Sequence, residues 1–113
     1  MPNPLNYYYL SENYADIGAA STVRFVVPQD GYLRRVGISL AGAITTTAAV
    51  ITVSVDNTAL SPTITIPVSG SAEGTYTEQE YWAPVKRGSW IEVASDGGPA
   101  NSVVAGLTLS LST

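Results

Sequence analysis

The stretch Val103-Val104-Ala105-Gly106-Leu107-Thr108-Leu109-Ser110-Leu111 decides the fold class. Positions 103, 105, 107, 109 and 111 are apolar, and from 106 onward the residues between them are small or hydroxylic. A period of two is the mark of a strand with one buried face, because successive side chains point to opposite sides of a sheet. A helix would need a period of about 3.6 sustained over roughly ten residues or more, and no window of the chain has it.

Working back towards the N-terminus, the same period recurs. Ile51, Val53 and Val55 alternate with Thr52 and Ser54; Val36, Ile38 and Leu40 alternate with Arg35, Gly37 and Ser39; Val23, Phe25 and Val27 form an earlier row. Residues 76–82 and 90–94 read as two more strands. Ile64, Ile66 and Val68 make a further row that Pro67 confines to an edge or a strand end, because proline has no N–H to give a ladder. Turn chemistry separates the rows. Pro28-Gln29-Asp30-Gly31, Asp56-Asn57, Lys86-Arg87-Gly88 and Asp96-Gly97-Gly98-Pro99 each supply residues that tolerate the tight backbone of a reversal. Seven or eight short strands with evenly spaced turns predict an all-β, antiparallel sandwich or barrel.

The 113 residues suit one domain. Within it, residues 1–14 stand apart, with two prolines, three asparagines and four tyrosines but little alternation. Pro2 and Pro4 bias their neighbours towards extended backbone. The division expected is an extended N-terminal arm at 1–14 and a β-sandwich at 15–113. An ordinary first strand laid on its own sheet is the alternative for the arm, and the composition does not separate the two.

Composition removes most chemistry. With no cysteine there is no disulfide, thiolate metal site or thiol nucleophile, and with no histidine there is no Ser-His-Asp triad and no imidazole base. Glu78 and Glu80 share a strand face, the geometry of an acid–base pair, but read more simply as a solvated face. Asp56, Asn57 and Asp96 sit in turns without the spacing of a calcium loop, and Asp96-Gly97-Gly98 lacks the Lys and Ser/Thr of a phosphate loop. We therefore expect no catalytic, cofactor or metal site. Five Lys and Arg against nine Asp and Glu, with no clustering, predict no nucleic-acid partner. The first residues have no basic-then-apolar signal pattern, and residues 40–55, the longest apolar-leaning run, are broken by Gly42 and threonines, so no membrane partner and no cleaved export signal are expected.

What remains is a surface. Tyrosine and tryptophan offer large, stiff contact area with a polar tip and are enriched at protein interfaces. The candidate interface residues are Tyr7, Tyr8, Tyr9, Leu10 and Tyr14 in the arm, with Tyr81, Trp82 and Trp90 in the sandwich. Alternation places Tyr76 and Trp82 on one face of their strand and Tyr81 on the other.

Two corners carry a resemblance. Val27-Pro28-Gln29-Asp30-Gly31-Tyr32-Leu33 is similar to the apolar-Pro-x-Asp-Gly-x-apolar corner of trimeric jelly rolls. Val85-Lys86-Arg87-Gly88-Ser89-Trp90-Ile91-Glu92-Val93 is similar to their later corner, with Ser89 where Asp is usual. Residues 21–113 thus resemble the TNF/C1q-like jelly-roll class and the small decoration (cement) and head-fibre proteins of tailed bacteriophages. The resemblance implies a jelly-roll homotrimer on the outer surface of a virion, made in the host cytoplasm. Its partner would be the major capsid protein, and its role to stabilise the shell. A receptor- or glycan-binding head domain of a fibre is the alternative, and a self-assembling shell subunit a third reading.

Overall fold

Nine strands and no helix make up residues 7–113, the part of the chain that the computed structural model describes. They are β1 (Tyr7–Tyr14), β2 (Ala20–Val26), β3 (Gly31–Leu40), β4 (Ala49–Val55), β5 (Thr58–Ala59), β6 (Ile64–Ile66), β7 (Tyr76–Val85), β8 (Trp90–Asp96) and β9 (Ala105–Ser112). One sheet has four strands in the order β1-β9-β3-β7; the other has five, β2-β8-β4-β5 with β6 also on β4, and every pairing is antiparallel.

Strands β5 and β6 lie end to end along β4, β5 against Ser54 and Val55 and β6 against Ala49, Val50 and Ile51. They are one strand broken around Pro62, which has no N–H for a ladder. Counted so, the two sheets run 1-8-3-6 and 2-7-4-5, the order of an eight-stranded jelly roll. The count of nine exceeds the expected seven or eight because of this break. Asp56 and Asn57, with φ of 48° and 69°, form the two-residue hairpin between β4 and β5, where left-handed backbone at both positions matches the strand twist. Strand β6 stops at Ile66, immediately before Pro67.

The inner faces of β9, β3 and β4 are the rows read from sequence, and β8 adds a further row. Leu107, Leu109 and Leu111 of β9 and Val36, Ile38 and Leu40 of β3 meet Ile51 and Val53 of β4 and Ile91 and Val93 of β8, all buried. Each fully buried aliphatic side chain contributes about 1.5–3 kcal/mol, which makes this single core the main source of stability.

Residues 7–14 are not a free arm. They pair residue for residue with β9, from Tyr7 opposite Ser112 to Tyr14 opposite Ala105, and so form the edge strand of the four-stranded sheet. In that position Tyr8 and Leu10 turn towards the core, Tyr7 and Tyr9 face outward, and Tyr14 is buried at the strand end. Residues 1–6, including Pro2 and Pro4 of the expected arm, lie outside the described residues.

The two corners that carried the resemblance are hydrogen-bonded to each other. Asp30 Oδ1 accepts from the Arg87 N–H at 2.8 Å, Gly88 N–H donates to the Val27 carbonyl at 2.8 Å, and Val27 N–H donates to the Ser89 carbonyl at 2.9 Å. Gly88 sits at φ 87°, which a side chain would strain. The buried Ser89 Oγ accepts from Lys86 N–H at 3.1 Å, so the hydroxyl closes the turn from inside it. Ser89→Ala is expected to destabilise the protein by about 1 kcal/mol, the usual cost of one such bond, and Ser89→Asp to restore it; urea unfolding curves would read both.

Candidate functional surface

The apolar residues Leu33 and Val36 are both buried although they lie three positions apart, which strict alternation forbids. The pairing of β3 with both neighbours shifts between Leu33 and Arg35. This is a bulge, and its effect is to turn two successive residues, Arg34 and Arg35, towards the same outer face.

The two arginines do different things there. Arg35 is fully engaged, with Nη2 3.0 Å from Glu80 Oε1 and Nε 3.6 Å from Glu78 Oε2. The hydrogen bond that Arg35 donates to Glu80, and then the charge of Glu78, raise its pKa. Tyr76 adds its hydroxyl to Glu78 at 3.1 Å; burial, and secondarily Glu78, push that phenol up. The two glutamates thus serve as ion-pair partners on an open face. Arg34 has no carboxylate partner among the described residues. Its guanidinium lies 3.9 Å from the Trp82 ring centre and 5.9 Å from that of Tyr7, and it donates to Ser112 Oγ at 3.3 Å. Trp82 in turn stacks on Tyr32, with centroids 4.9 Å apart and planes 17° from parallel. Tyr32, Trp82, Arg34 and Tyr7 form one ladder of planar groups across β7, β3 and β1.

A cleft of about 750 Å³ opens over this face, bounded by Tyr7 and Tyr9 on one side and by Leu60 and Ser61 on the other, with Arg34 and Trp82 between. The far wall is pinned from within: the Tyr81 hydroxyl donates to the Pro62 carbonyl at 2.6 Å, which fixes the loop that breaks β5 from β6.

Of the eight candidate interface residues, Tyr7, Tyr9 and Trp82 are brought together here, Trp82 with 62% of its surface exposed. Trp90 is exposed too, but on the opposite sheet, where Arg24 lies 4.4 Å over its ring and pairs with Glu92 at 3.3 Å. Tyr8 and Leu10 are half-buried against the core, with the Tyr8 hydroxyl donating to the Gln29 carbonyl at 3.2 Å. Tyr14 corrects the expectation: it is buried and spans the sandwich to donate to the Val93 carbonyl on β8. Tyr81 is mostly buried, and it meets the cleft as part of its lining while its hydroxyl is spent on Pro62. Sequence reasoning missed Tyr32 and Arg34. The parity slip between Leu33 and Val36 was the available signal.

The turn carboxylates are occupied by backbone. Asp96 Oδ1 accepts from Gly98 N–H at 2.9 Å and Val50 N–H at 3.1 Å, and Asp56 Oδ1 from Trp90 N–H at 2.9 Å. Asp16, not singled out from sequence, accepts from Gly18 N–H at 2.8 Å, Ser102 hydroxyl at 3.0 Å and Val103 N–H at 3.2 Å. These bonds, Gly18 first, hold its carboxyl below the ordinary 3.8. The folded value lies under the unfolded one, so this clasp contributes fully above about pH 3.8 and is lost as pH falls through the lower folded value. The Gly18 and Val103 amide resonances are expected to titrate together with a midpoint below 3.8.

No protein-family model and no curated protein matches the chain. Solved structures do. A chain of the acidic stable capsid of Helicobacter pylori bacteriophage KHP30 superposes with a TM-score of 0.63 at 10% identity, covering 95% of this chain and 87% of that one. A family 35 carbohydrate-binding module from Clostridium thermocellum superposes with a TM-score of 0.53 at 16% identity, covering 93% and 90%. The catalytic unit of a thermostable α-1,3-glucanase from Streptomyces thermodiastaticus gives 0.54 at 13% identity, covering 93% of this chain but 25% of that one. The sandwich fold is common to all three.

Proposed function

We propose that the chain is a non-catalytic structural protein of a bacteriophage particle, a decoration or cement protein that binds the outer surface of the capsid. The observation that supports this reading is the superposition on the phage capsid chain, whose TM-score of 0.63 stands above the 0.53 of the carbohydrate-binding module at similar coverage, 95% and 87% of the two chains. The Arg34 and Trp82 face supplies the contact surface, because stacked aromatics and arginine are the side chains that concentrate binding energy at protein interfaces. In the proposed form the chain is a homotrimer on the virion, and a cap that touches several capsid subunits at once gains through effective concentration. The test is co-sedimentation with capsids that lack the protein. Wild type is expected to pellet with them, and Trp82→Ala to lose binding while still folding cooperatively, its stability lowered by about 1–2 kcal/mol through loss of the Tyr32 stack and the Arg34 contact. Binding unaffected by Trp82→Ala would move the contact elsewhere; no binding by wild type would overturn the reading.

A second reading has its own observation. Exposed Tyr7, Tyr9 and Trp82 around a cleft, on a fold shared with a carbohydrate-binding module, support a glycan-binding head domain. A glycan array probed with the intact protein tests it. Saturable hits that vanish in Trp82→Ala would favour this reading over the first.

A further inference from the structure

We infer that the cleft over the four-stranded sheet is a carboxylate site, and that its occupant is an extended acidic segment of the partner protein anchored on Arg34. The inference deepens the capsid-binding reading and rests on the same face being the docking face.

Charge pairing is the first argument. Of the two arginines lining the cleft, Arg35 is held by Glu80 and, just outside the lining, Glu78, whereas Arg34 has no carboxylate partner among the described residues. Arg34 is therefore the guanidinium whose fork is still open to a carboxylate. Arg34 is half-buried, and its hydrogen bond to Ser112 Oγ uses one of the five N–H donors of a guanidinium. The Trp82 and Tyr7 rings offset part of the cost of desolvating that charge, but a ring is no substitute for a bidentate carboxylate.

Shape and inventory decide the class of ligand. The cleft runs across the strands from Tyr7 and Tyr9 on β1 to Leu60 beyond β7. Four strands spaced about 4.8 Å apart match an extended segment of about five residues. Alternate side chains of such a segment would reach Arg34 and the exposed Tyr9 ring. A saccharide fits less well. Sugar hydroxyls need side-chain amides and free carboxylates around them. The lining holds no Asn, Gln or Asp, its one Glu is spent on Arg35, and the Trp82 ring already stacks on Tyr32 and Arg34.

The test uses the intact protein, labelled with nitrogen-15, at low ionic strength. The probes are a capped pentapeptide alternating valine and glutamate, the same peptide with glutamine, and trigalacturonate. The Trp82 indole N–H reports the cleft, and the Trp90 indole on the opposite sheet is the internal reference. The glutamate peptide is expected to shift Trp82 saturably and leave Trp90 still. The glutamine peptide should bind about tenfold more weakly or worse, the usual loss when a charged hydrogen-bond partner is removed. Arg34→Gln should abolish the shift and Arg34→Lys, which keeps charge without the fork, should weaken it. Arg24→Gln, the matching arginine over Trp90, should leave it unchanged.

Equal binding of the two peptides, a shift that survives Arg34→Gln, binding of trigalacturonate alone, or no saturable Trp82 shift with any probe would each overturn the inference. So would a concentration-dependent Trp82 shift without ligand that Arg34→Gln removes, since a second copy would then be the occupant. The titration needs no capsid. A negative titration with intact capsid binding overturns the carboxylate site alone, and a positive one without capsid binding overturns the capsid reading alone.

Discussion

Tyr14→Ala is expected to lower the unfolding free energy by about 3–5 kcal/mol, among the largest effects available to a single side chain in this protein. The ring is 1% exposed, at the end of β1 where that edge strand meets the interior. Truncation leaves a cavity the size of a phenol between the two sheets and removes the donor to the Val93 carbonyl on β8. Burial also holds the phenol well above its ordinary value of 10.0, so it stays a donor throughout the pH range of ordinary measurements. Tyr14→Phe separates the contributions. It keeps the ring and loses the bond, and is expected to cost about 1 kcal/mol. Against a total stability of about 5–15 kcal/mol for a domain of this kind, Tyr14→Ala leaves a marginal protein. Urea unfolding at neutral pH would measure both variants. If Tyr14→Ala were as stable as wild type but failed to bind capsids, the side chain would belong to an interface after all.

Leu109→Ala is expected to cost about 2–5 kcal/mol. Leu109 is fully buried, and β9 lies between β1 and β3, opposite Leu10 on one side and Val36 on the other. A void there loosens the inner face of the four-stranded sheet, which also carries the Arg34 and Trp82 ladder on its outer side. The midpoint of urea unfolding should fall with little change in slope, as for a loss of stability without a change in the surface exposed. Thr108→Ala, one residue away and facing solvent, should stay within about 0.5 kcal/mol of wild type. Similar losses at 108 and 109 would mean that the face assignment of β9 is wrong.

The two residues differ in how they could be read. Leu109 was legible because alternation is a local property: a strand's side chains take opposite sides whatever the rest of the chain does. The same rule gave the inner faces of β3 and β4, and placed Trp82 opposite to Tyr81. Tyr14 was not legible. Its neighbours Ser11, Glu12 and Asn13 are all exposed, so its burial has no local periodicity to announce it. It is buried because β1 pairs with β9, 91 positions away at Tyr14 opposite Ala105. The arm at 1–14 was left open between two forms for the same reason, since over 7–14 only pairing with the edge of β9 decides between them.

By itself, the sequence determined the all-β class, the positions of most strands and turns, and the absence of thiol and imidazole chemistry. These follow from residue types and from a period of two. Tertiary structure alone decided where the outward aromatics meet. The bulge between Leu33 and Arg35 turned Arg34 to the outer face, β1 brought Tyr7 and Tyr9 to the same side, and the break around Pro62 supplied the far wall of the cleft. Each of these depends on pairing between strands distant in sequence. A surface made of side chains from four such segments is fixed only when the register of every strand between them is fixed.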